Sequence, residues 1–152
     1  MEIHEKDIQF TSRPSSVPFQ YRTSYKLGLI SLIIRNCSSR NSCSNLKLQL
    51  ICTSYMTREQ QDELIEILDL RKAPTISRLD PAVDRAIDFG IADGLFEISS
   101  NGKIMLSTIG MMLANNIIED EKLFNDEKAF LMRIGKKLTE DAIERMKKSW
   151  GK

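Results

Sequence analysis

The sequence has little of what most enzyme active sites require. Its 152 residues include a single histidine, His4, and its seven glycines fall into no nucleotide-binding pattern. No G-x-S-x-G element is present, and a Cys–His pair would require the segment around His4 to fold back onto the rest of the chain. These absences predict a chain that is not an enzyme and that binds no cofactor.

Metal, membrane and export signals are equally sparse. The three cysteines, Cys37, Cys43 and Cys52, contain no close ligand pair, and there is no histidine cluster to complete a zinc site. We therefore expect no metal site and three reduced, buried thiols, as in a cytosolic protein. The longest apolar stretch, Leu27 to Ile34, is far shorter than the roughly 20 residues of a membrane helix, and the first residues are acidic where an export signal would be basic. The sequence predicts a cytoplasmic protein with no membrane partner.

Neither sign of charge is in excess, since 22 basic side chains face 21 acidic ones. This balance excludes a polycation that binds nucleic acid through its bulk charge. The distribution is uneven, with a net charge of +4 in residues 1–60, −6 in residues 61–125 and +3 in residues 126–152. The composition, 41% hydrophobic and 28% charged, is typical of one globular domain.

Residues 1–22 contain proline and serine without a sustained apolar period, which predicts an extended N-terminal arm. The arm carries three aromatic residues, Phe10, Phe19 and Tyr21. Aromatic side chains in such a segment dock either on their own domain or on a partner, and the sequence leaves both open. We expect residues 23–152 to form a single domain.

Helical periodicity dominates the first half of that domain. A helix from Tyr25 to Asn36, capped by Thr23 or Ser24, is apolar on nearly all sides and is predicted to be the central core helix. The segment Ser38 to Ser44 is predicted to be a polar loop. The stretch from residue 46 to residue 55 fits a strand by its alternation and a helix by its i, i+4 pairs, and we favour the helix.

Turn and capping signals organise the rest. Thr57 and Gln60 form the capping box of a helix that ends near residue 70, and Asp80-Pro81 begins a helix that stops at Gly94. Two short runs around Asn101-Gly102 predict a β-hairpin. A helix from residue 108 to about residue 122 follows, with three residues facing inward: Met112, Leu113 and Ile117. The chain is helical again from about residue 126, and Thr139 could split this part in two.

A capped helix, a glycine stop, a tight hairpin and a further helix are the order of a winged-helix module. The predicted fold is therefore mainly α with a small β-hairpin, a winged-helix-like core with extra flanking helices. Winged helices bind DNA, RNA or other proteins, so this fold does not by itself identify a function.

The helix at residues 80–93 occupies the position of a recognition helix, but its outer face is acidic. Asp84 and Asp88 would point carboxylates towards phosphates, where a DNA reader presents Arg, Lys, Asn or Gln. The face is either simply solvated or a partner contact centred on Phe89 with those two acids. Four basic residues near the C-terminus could contact a nucleic-acid backbone without sequence preference, or belong to a solvated face. They are Lys136, Lys137, Lys147 and Lys148.

Five short segments point to a family. They are YKLGLI at 25–30, LKLQL at 46–50, LDPAVDRA at 79–86, ADGL at 92–95 and LSTIG at 106–110. With these segments the chain resembles the small middle component of ABC-three-component systems, the class that contains the small subunit of Lamassu-type anti-phage defence.

The resemblance implies a non-catalytic accessory subunit in anti-phage or anti-plasmid defence. Such a subunit binds the heads of an SMC-like ATPase and helps to hold or regulate a separate effector subunit, often a nuclease. ATP would then belong to the partner, and DNA would be contacted only weakly or through the complex. The alternative is a winged-helix DNA-binding transcription regulator or antitoxin, which would use the hairpin and the basic residues of the 136–148 segment.

Overall fold

The structure, a computed structural model, describes residues 22–69 and 79–150. Within these residues the chain is mainly helical, with seven α-helices and one small antiparallel sheet. A 3-10 turn, Ser39–Asn41, follows the first helix. In chain order the elements are α1 (Thr23–Cys37), β1 (Ser42–Cys43), α2 (Asn45–Tyr55), α3 (Arg58–Leu68), α4 (Pro81–Ala92), β2 (Phe96–Ile98), β3 (Ile104–Leu106), α5 (Thr108–Glu119), α6 (Asn125–Ile134) and α7 (Glu140–Trp150).

α1 is the centre of the fold, which confirms the prediction of a core helix. Every residue from Tyr25 to Ile34 is buried, a pattern that requires neighbours on all sides of the helix. α2, α4, α5 and α6 pack around it, and β1 and β3 also contact it. The predicted N-cap is wrong, because Thr23 is the first helical residue and Arg22 precedes it without a side-chain cap. Packing on all sides stabilises α1, so its first turn does not depend on a capping side chain.

Each of the next two helices has an N-cap residue whose side chain accepts a backbone hydrogen bond. The stretch that fitted either a strand or a helix is helical, as favoured, and the Ser44 hydroxyl accepts a 3.2 Å hydrogen bond from the backbone N–H of Lys47. Thr57 is confirmed as the N-cap of α3, since its hydroxyl accepts a 3.1 Å bond from the backbone N–H of Gln60. The Gln60 side-chain oxygen accepts a 3.2 Å bond from the Thr57 hydroxyl, whereas in a full capping box it accepts from the backbone N–H of the N-cap residue. α2 and α3 pack against each other, and α3 also contacts α6.

The sheet has three antiparallel strands in the order β1–β3–β2. The hairpin of β2 and β3 confirms the prediction, but the assignment of Ser38–Ser44 to a polar loop is wrong at its end. Residues Ser42 and Cys43 pair with Met105 and Ile104 of β3. A two-residue strand shows no alternation, and its pairing depends on residues far along the chain, so the local pattern could not reveal it.

The start and the stop of α4 agree with the prediction. One oxygen of the Asp80 carboxylate accepts a 2.9 Å bond from the backbone N–H of Ala82, and proline occupies the first helical position. The helix ends at Ala92 with Asp93 as its C-cap, and Gly94 follows with a φ of +80°. That left-handed conformation is the one that favours glycine after a helix.

α5 differs from the prediction in the exposure of Met112 and in the residue at which the helix ends. Met112, expected to face inward, is 60% exposed, whereas Leu113 and Ile117 are buried as predicted. At about 100° per residue, Met112 lies on the side of the helix opposite the residues that contact α1. The helix ends at Glu119 rather than near residue 122, because the Asp120 side chain accepts a 2.9 Å bond from the backbone N–H of Lys122 and competes with the helical pattern.

Thr139 divides the C-terminal part into α6 and α7, as the sequence allowed. Its hydroxyl accepts a 3.1 Å bond from the backbone N–H of Ala142, so it caps α7. α6 packs on α1, and α7 packs on α2. None of the helices in residues 22–69 and 79–150 combines the length and apolar character that crossing a membrane demands.

Candidate functional site

The outer face of α4 presents the side chains that the sequence singles out. We call Asp84, Arg85, Asp88 and Phe89 the α4 surface; all four are exposed, and Phe89 is 45% exposed. The face towards the core is buried through Val83, Ala86, Ile87 and Gly90. Aromatic residues are enriched in the cores of protein interfaces, which makes the exposed ring of Phe89 a candidate contact.

A polar network fixes the N-terminus of α4 against α1 and α2. The second carboxylate oxygen of Asp80 lies 3.4 Å from the Nζ atom of the buried Lys26 in α1. The Gln49 amide of α2 accepts a 2.9 Å bond from the backbone N–H of Asp80 and donates a 3.1 Å bond to its carbonyl oxygen. Two other helices therefore set the position of α4, and the α4 surface is preorganised.

The two acids of the α4 surface differ in what they contact. One oxygen of Asp84 accepts bonds of 3.1 Å from the side-chain amides of Asn45 and Gln49, so this carboxylate links α4 to α2. Asp88 makes no hydrogen bond or ion pair with any residue that the structure describes. Of the two acids, Asp88 is the one whose full charge is available to a partner.

Phe89 lies on the other flank of the face. Helical spacing places Asp84 beside Asp88 and Arg85 beside Phe89, because residues four apart are neighbours on a helix. The surface therefore has an acidic ridge next to α2 and a ridge with a cation and an aromatic ring on the far side.

The hairpin beside α4 brings only one basic residue to match its acidic face. β2 packs against α4 and exposes Glu97 and Ile98. At the turn, the backbone N–H of Lys103 donates a 3.0 Å bond to the hydroxyl of Ser99, and Gly102 has a φ of +80°. Lys103 is the only basic residue from β2 to β3, so the hairpin and α4 together remain acidic.

The basic residues near the C-terminus form two separate pairs. Lys136 and Lys137 precede α7 and Lys147 and Lys148 end it, and all four are exposed. α7 is about 16 Å long, so the pairs lie at opposite ends of the helix. Cations in the last helical turn also interact favourably with the helix dipole, which accounts for one pair without a ligand.

A buried lysine beside the thiols was not anticipated from the sequence. Lys47 is buried, its Nζ atom donates to the carbonyl oxygen of Cys37, and burial lowers its pKa. The three thiols are free and buried, as predicted. Burial raises the pKa of Cys37 to about 11 and those of Cys43 and Cys52 to about 12. These thiols are therefore protonated at neutral pH and poor nucleophiles.

Other candidate residues are not brought into a site. The aromatics of the predicted arm, Phe10, Phe19 and Tyr21, lie outside the described residues, as does His4. Among residues 22–69 and 79–150, no group of three or more His, Cys, Asp or Glu side chains is arranged to hold a metal ion. The sequence pattern that could have revealed Lys26 and Lys47 is their position inside apolar runs, YKLGL and LKLQL.

The chain was compared with protein-family models, with curated proteins and with solved structures, and none of these comparisons finds a match.

Proposed function

We propose that this chain is a winged-helix accessory subunit, without catalytic activity, of a cytoplasmic SMC-like ATPase complex in anti-phage or anti-plasmid defence. It binds the ATPase heads and helps to hold or regulate the effector subunit. The observation that carries the proposal is the outer face of α4, which is acidic and carries an exposed aromatic ring at the position where a winged helix reads DNA.

Topology supports the winged-helix assignment. The order α1–β1–α2–α4–β2–β3, with the sheet order β1–β3–β2, has the connectivity of a helix-turn-helix followed by a two-stranded wing. α3 is then an insertion between the two helices of that motif. In this frame α4 is the recognition helix and residues 99–103 are the tip of the wing.

Electrostatics favour a protein over DNA as the partner of α4. In a major groove, Asp88 and Glu97 would approach phosphates, and the base-reading positions would hold Ala92, Asp84 and a single Arg85. A protein partner that presents basic side chains and an apolar pocket would instead match both the acidic ridge and the ring of Phe89.

The family resemblance supports the identity of that partner. One of its segments, residues 79–86, builds the capped N-terminus of α4 and includes Asp84 and Arg85 of the α4 surface. In the class that the chain resembles, the partner is an SMC-like ATPase, which supplies the ATP chemistry that this sequence lacks.

The test is to isolate the chain together with the products of its neighbouring genes and to measure the affinity of the purified partners. We expect an SMC-like ATPase to co-purify, and Phe89→Ala to weaken that complex by about 1–3 kcal/mol, as truncation of an interface aromatic does. Met132→Ala is the matched control, because Met132 is 84% exposed on α6, outside the α4 surface.

Two results would contradict the proposal. A large loss of melting temperature in the isolated Phe89→Ala subunit would show that the ring stabilises the fold. Tight binding to one DNA sequence at physiological salt would favour the second candidate, a winged-helix transcription regulator or antitoxin. That candidate is favoured by the same strand order and by the exposed lysines around α7.

A further inference from the structure

β2 is an edge strand, and within residues 22–69 and 79–150 no further strand pairs with its outer side. The sheet order β1–β3–β2 places β3 on one side of β2 only. The strand exposes Glu97, and Ile98 is 54% exposed. We propose that an extended segment of a partner protein, with alternating basic and apolar residues, binds this edge by adding to β2 as a fourth strand.

The hydrogen bonds of the hairpin determine which backbone groups face the edge. The backbone N–H of Ser107 donates a 2.9 Å bond to the carbonyl oxygen of Leu95, and that of Ser99 donates a 2.8 Å bond to the carbonyl oxygen of Lys103. Hydrogen-bonded pairs alternate with non-bonded pairs along an antiparallel ladder. The odd-numbered residues from 95 to 99 therefore bond towards β3, and the even-numbered residues turn their N–H and C=O groups away from it.

Ile98 is the accessible one of the two even-numbered residues, since Phe96 is buried. In the part of the chain that the structure describes, no hydrogen bond reaches the backbone N–H or C=O of Ile98. An unpaired donor and acceptor on a strand edge are a template for another extended chain. A strand added here would bond to Ile98 without disturbing the bonds of the hairpin.

The charge around this edge favours a basic segment. Between Arg85 and Lys103 the sequence contains three acids, Asp88, Asp93 and Glu97, and no basic residue. Opposite charges on cross-strand neighbours stabilise a sheet, whereas like charges destabilise it. Because β2 packs against α4, a segment bound at the edge would also lie beside the acidic residues of that helix.

The side chains of β2 favour an alternating pattern in the added segment. Successive side chains of a strand point to opposite faces, so Ile98 lies on the same face as the buried Phe96, and Glu97 lies on the other face. Ile98 still leaves about half of its surface in solvent. An added strand would place apolar side chains beside Ile98 and basic side chains beside Glu97.

A second copy of this chain is a poorer occupant of the edge. Antiparallel pairing of β2 with its own copy over all three residues would place the two Glu97 side chains directly opposite each other. Like charges in that position destabilise the pairing. Charge therefore distinguishes a basic partner segment from self-association through the same backbone groups.

The first test is amide hydrogen exchange, measured by NMR on the purified full-length chain with two synthetic heptapeptides. One alternates lysine with valine, and the other alternates glutamate with valine. In the free chain we expect the Ile98 amide to exchange faster than those of Glu97 and Ser99, which bond to β3. The lysine peptide at saturation should slow exchange at Ile98 about tenfold or more, and it should bind about tenfold more tightly than the glutamate peptide.

Three results of this first test would overturn the proposal. Equal affinity for the two peptides would remove the role of charge. Binding of the lysine peptide without protection of the Ile98 amide would place it elsewhere on the molecule. Protection of the Ile98 amide that rises with protein concentration, in the absence of peptide, would identify a second copy as the occupant.

The second test removes the edge donor. Ile98→Pro deletes an N–H that bonds to nothing in the hairpin, and proline is tolerated on edge strands where the N–H faces solvent. We expect this variant to lose affinity for the lysine peptide by about tenfold or more, whereas Ile98→Thr, the matched control that keeps the N–H, should lose much less. Equal losses in two folded variants would show that the side chain alone makes the contact.

A charge reversal decides the matter if Ile98→Pro fails to fold, as its melting temperature would show. Glu97→Lys changes an exposed side chain and leaves every backbone group in place. It should reverse the preference, so that the glutamate peptide binds more tightly than the lysine peptide. An unchanged preference would contradict the proposed binding mode.

This inference does not rest on the proposed function. Peptide binding at the edge of β2 in a chain that co-purifies with no ATPase would leave the edge standing and remove the proposed partner. An ATPase complex in which the Ile98 amide still exchanges freely, together with an isolated chain that binds neither peptide, would overturn the inference and leave the proposed function standing.

Discussion

The hairpin can approach α5 closely at Gly110 because glycine has no side chain. A Cβ atom at this residue would lie 2.1 Å from the carbonyl oxygen of Leu95, which is backbone and cannot rotate away. The same carbonyl oxygen accepts a 2.9 Å bond from the backbone N–H of Ser107, so it is fixed from the other side. The contact places the first turn of α5 directly against the start of β2.

We expect Gly110→Ala to lower the free energy of unfolding by about 1–3 kcal/mol, in spite of alanine's higher helix propensity, because the added methyl group forces the hairpin outward. Urea denaturation followed by circular dichroism measures the change. Thr108→Ala, an exposed position in the same turn, should change stability by less than about 0.5 kcal/mol. An unchanged or increased stability of Gly110→Ala would show that the hairpin yields freely.

At the residue scale, the pH dependence of the free energy of unfolding tests the burial of the Cys52 thiol. Its thiol is buried in the folded chain and its pKa is raised to about 12, whereas an unfolded thiol ionises near pH 9. The folded state therefore keeps the proton that the unfolded state loses. The contribution of this thiol to stability is fully present below pH 9 and is lost as pH rises towards 12.

The variant Cys52→Ala isolates this effect. Its cavity makes it less stable than the parent at pH 8, and we expect the difference to shrink by about 1–2 kcal/mol between pH 9 and pH 10.5. The lowered pKa of the buried Lys47 acts in the opposite direction, but it is present in both chains and cancels. Urea denaturation at several pH values gives the comparison, and a difference that stays constant with pH would contradict the raised pKa.

At the scale of the element, α4 depends on a side chain from another helix. Gln49 bonds to the backbone N–H and carbonyl of Asp80 and to the carboxylate of Asp84. Gln49→Leu would leave these partly buried groups without partners, so we expect a loss of about 2–4 kcal/mol in the free energy of unfolding. We also expect weaker binding through the α4 surface, because α4 would be less firmly placed.

The control is Gln61→Leu. The Gln61 amide donates one 2.9 Å bond to the carbonyl oxygen of Tyr55, so its replacement should cost about 1 kcal/mol. Equal losses for the two variants would mean that the bonds to Asp80 contribute little to the position of α4. Hydrogen exchange at the amides of residues 82–86 would show directly whether the first turn of α4 opens more often in Gln49→Leu.

Elements with local signals were predictable from the sequence. The N-caps at Thr57 and Asp80, the division of the C-terminal part at Thr139 and the turn at Asn101-Gly102 each have a local signal, and the structure confirms all four. β1 was missed, because its two residues pair only through contacts with β3. Local chemistry identifies where an element begins or turns, whereas a strand of two residues exists only in its tertiary context.

Which side chains of a helix are buried was harder to predict than where the helix lies. The inner face of α4 follows from its period, but Met112 was assigned to the core on hydrophobicity although its position on the helix places it outside. Lys26 and Lys47 show the converse, since lysine side chains are normally exposed and both of these are buried. In the candidate site, the exposure of Phe89 was predicted, whereas the bonds of Asp84 to α2 depend on how two helices pack.

At the scale of the whole molecule, acidic residues predominate on α4 and β2, and exposed lysines lie at the two ends of α7. The acidic residues of α4 and β2 lie together because these elements pack side by side. A molecule of this kind has little net attraction for DNA at long range, since its formal net charge is +1. Only a few exposed cations are available to contact phosphates.

The isolated chain should therefore bind duplex DNA weakly, without sequence preference, and less as salt rises. The exposed cations that could contribute are Arg35, Arg40, Lys136, Lys137, Lys147 and Lys148. Each phosphate contact adds roughly one unit to the slope of log affinity against log salt, so a few contacts give micromolar or weaker binding. Titrating random and promoter-derived duplexes at two salt concentrations measures both affinity and slope.

Charge reversal makes this test specific. Lys147→Glu with Lys148→Glu should weaken the residual binding and reduce the slope, because two cations that can contact phosphates become anions. Asp88→Lys with Glu97→Lys should strengthen binding, because it removes the two carboxylates that would otherwise approach the phosphates. If DNA instead binds the native chain tightly through α4, Asp88→Lys would alter which sequence is preferred, and the accessory-subunit proposal would give way to the regulator.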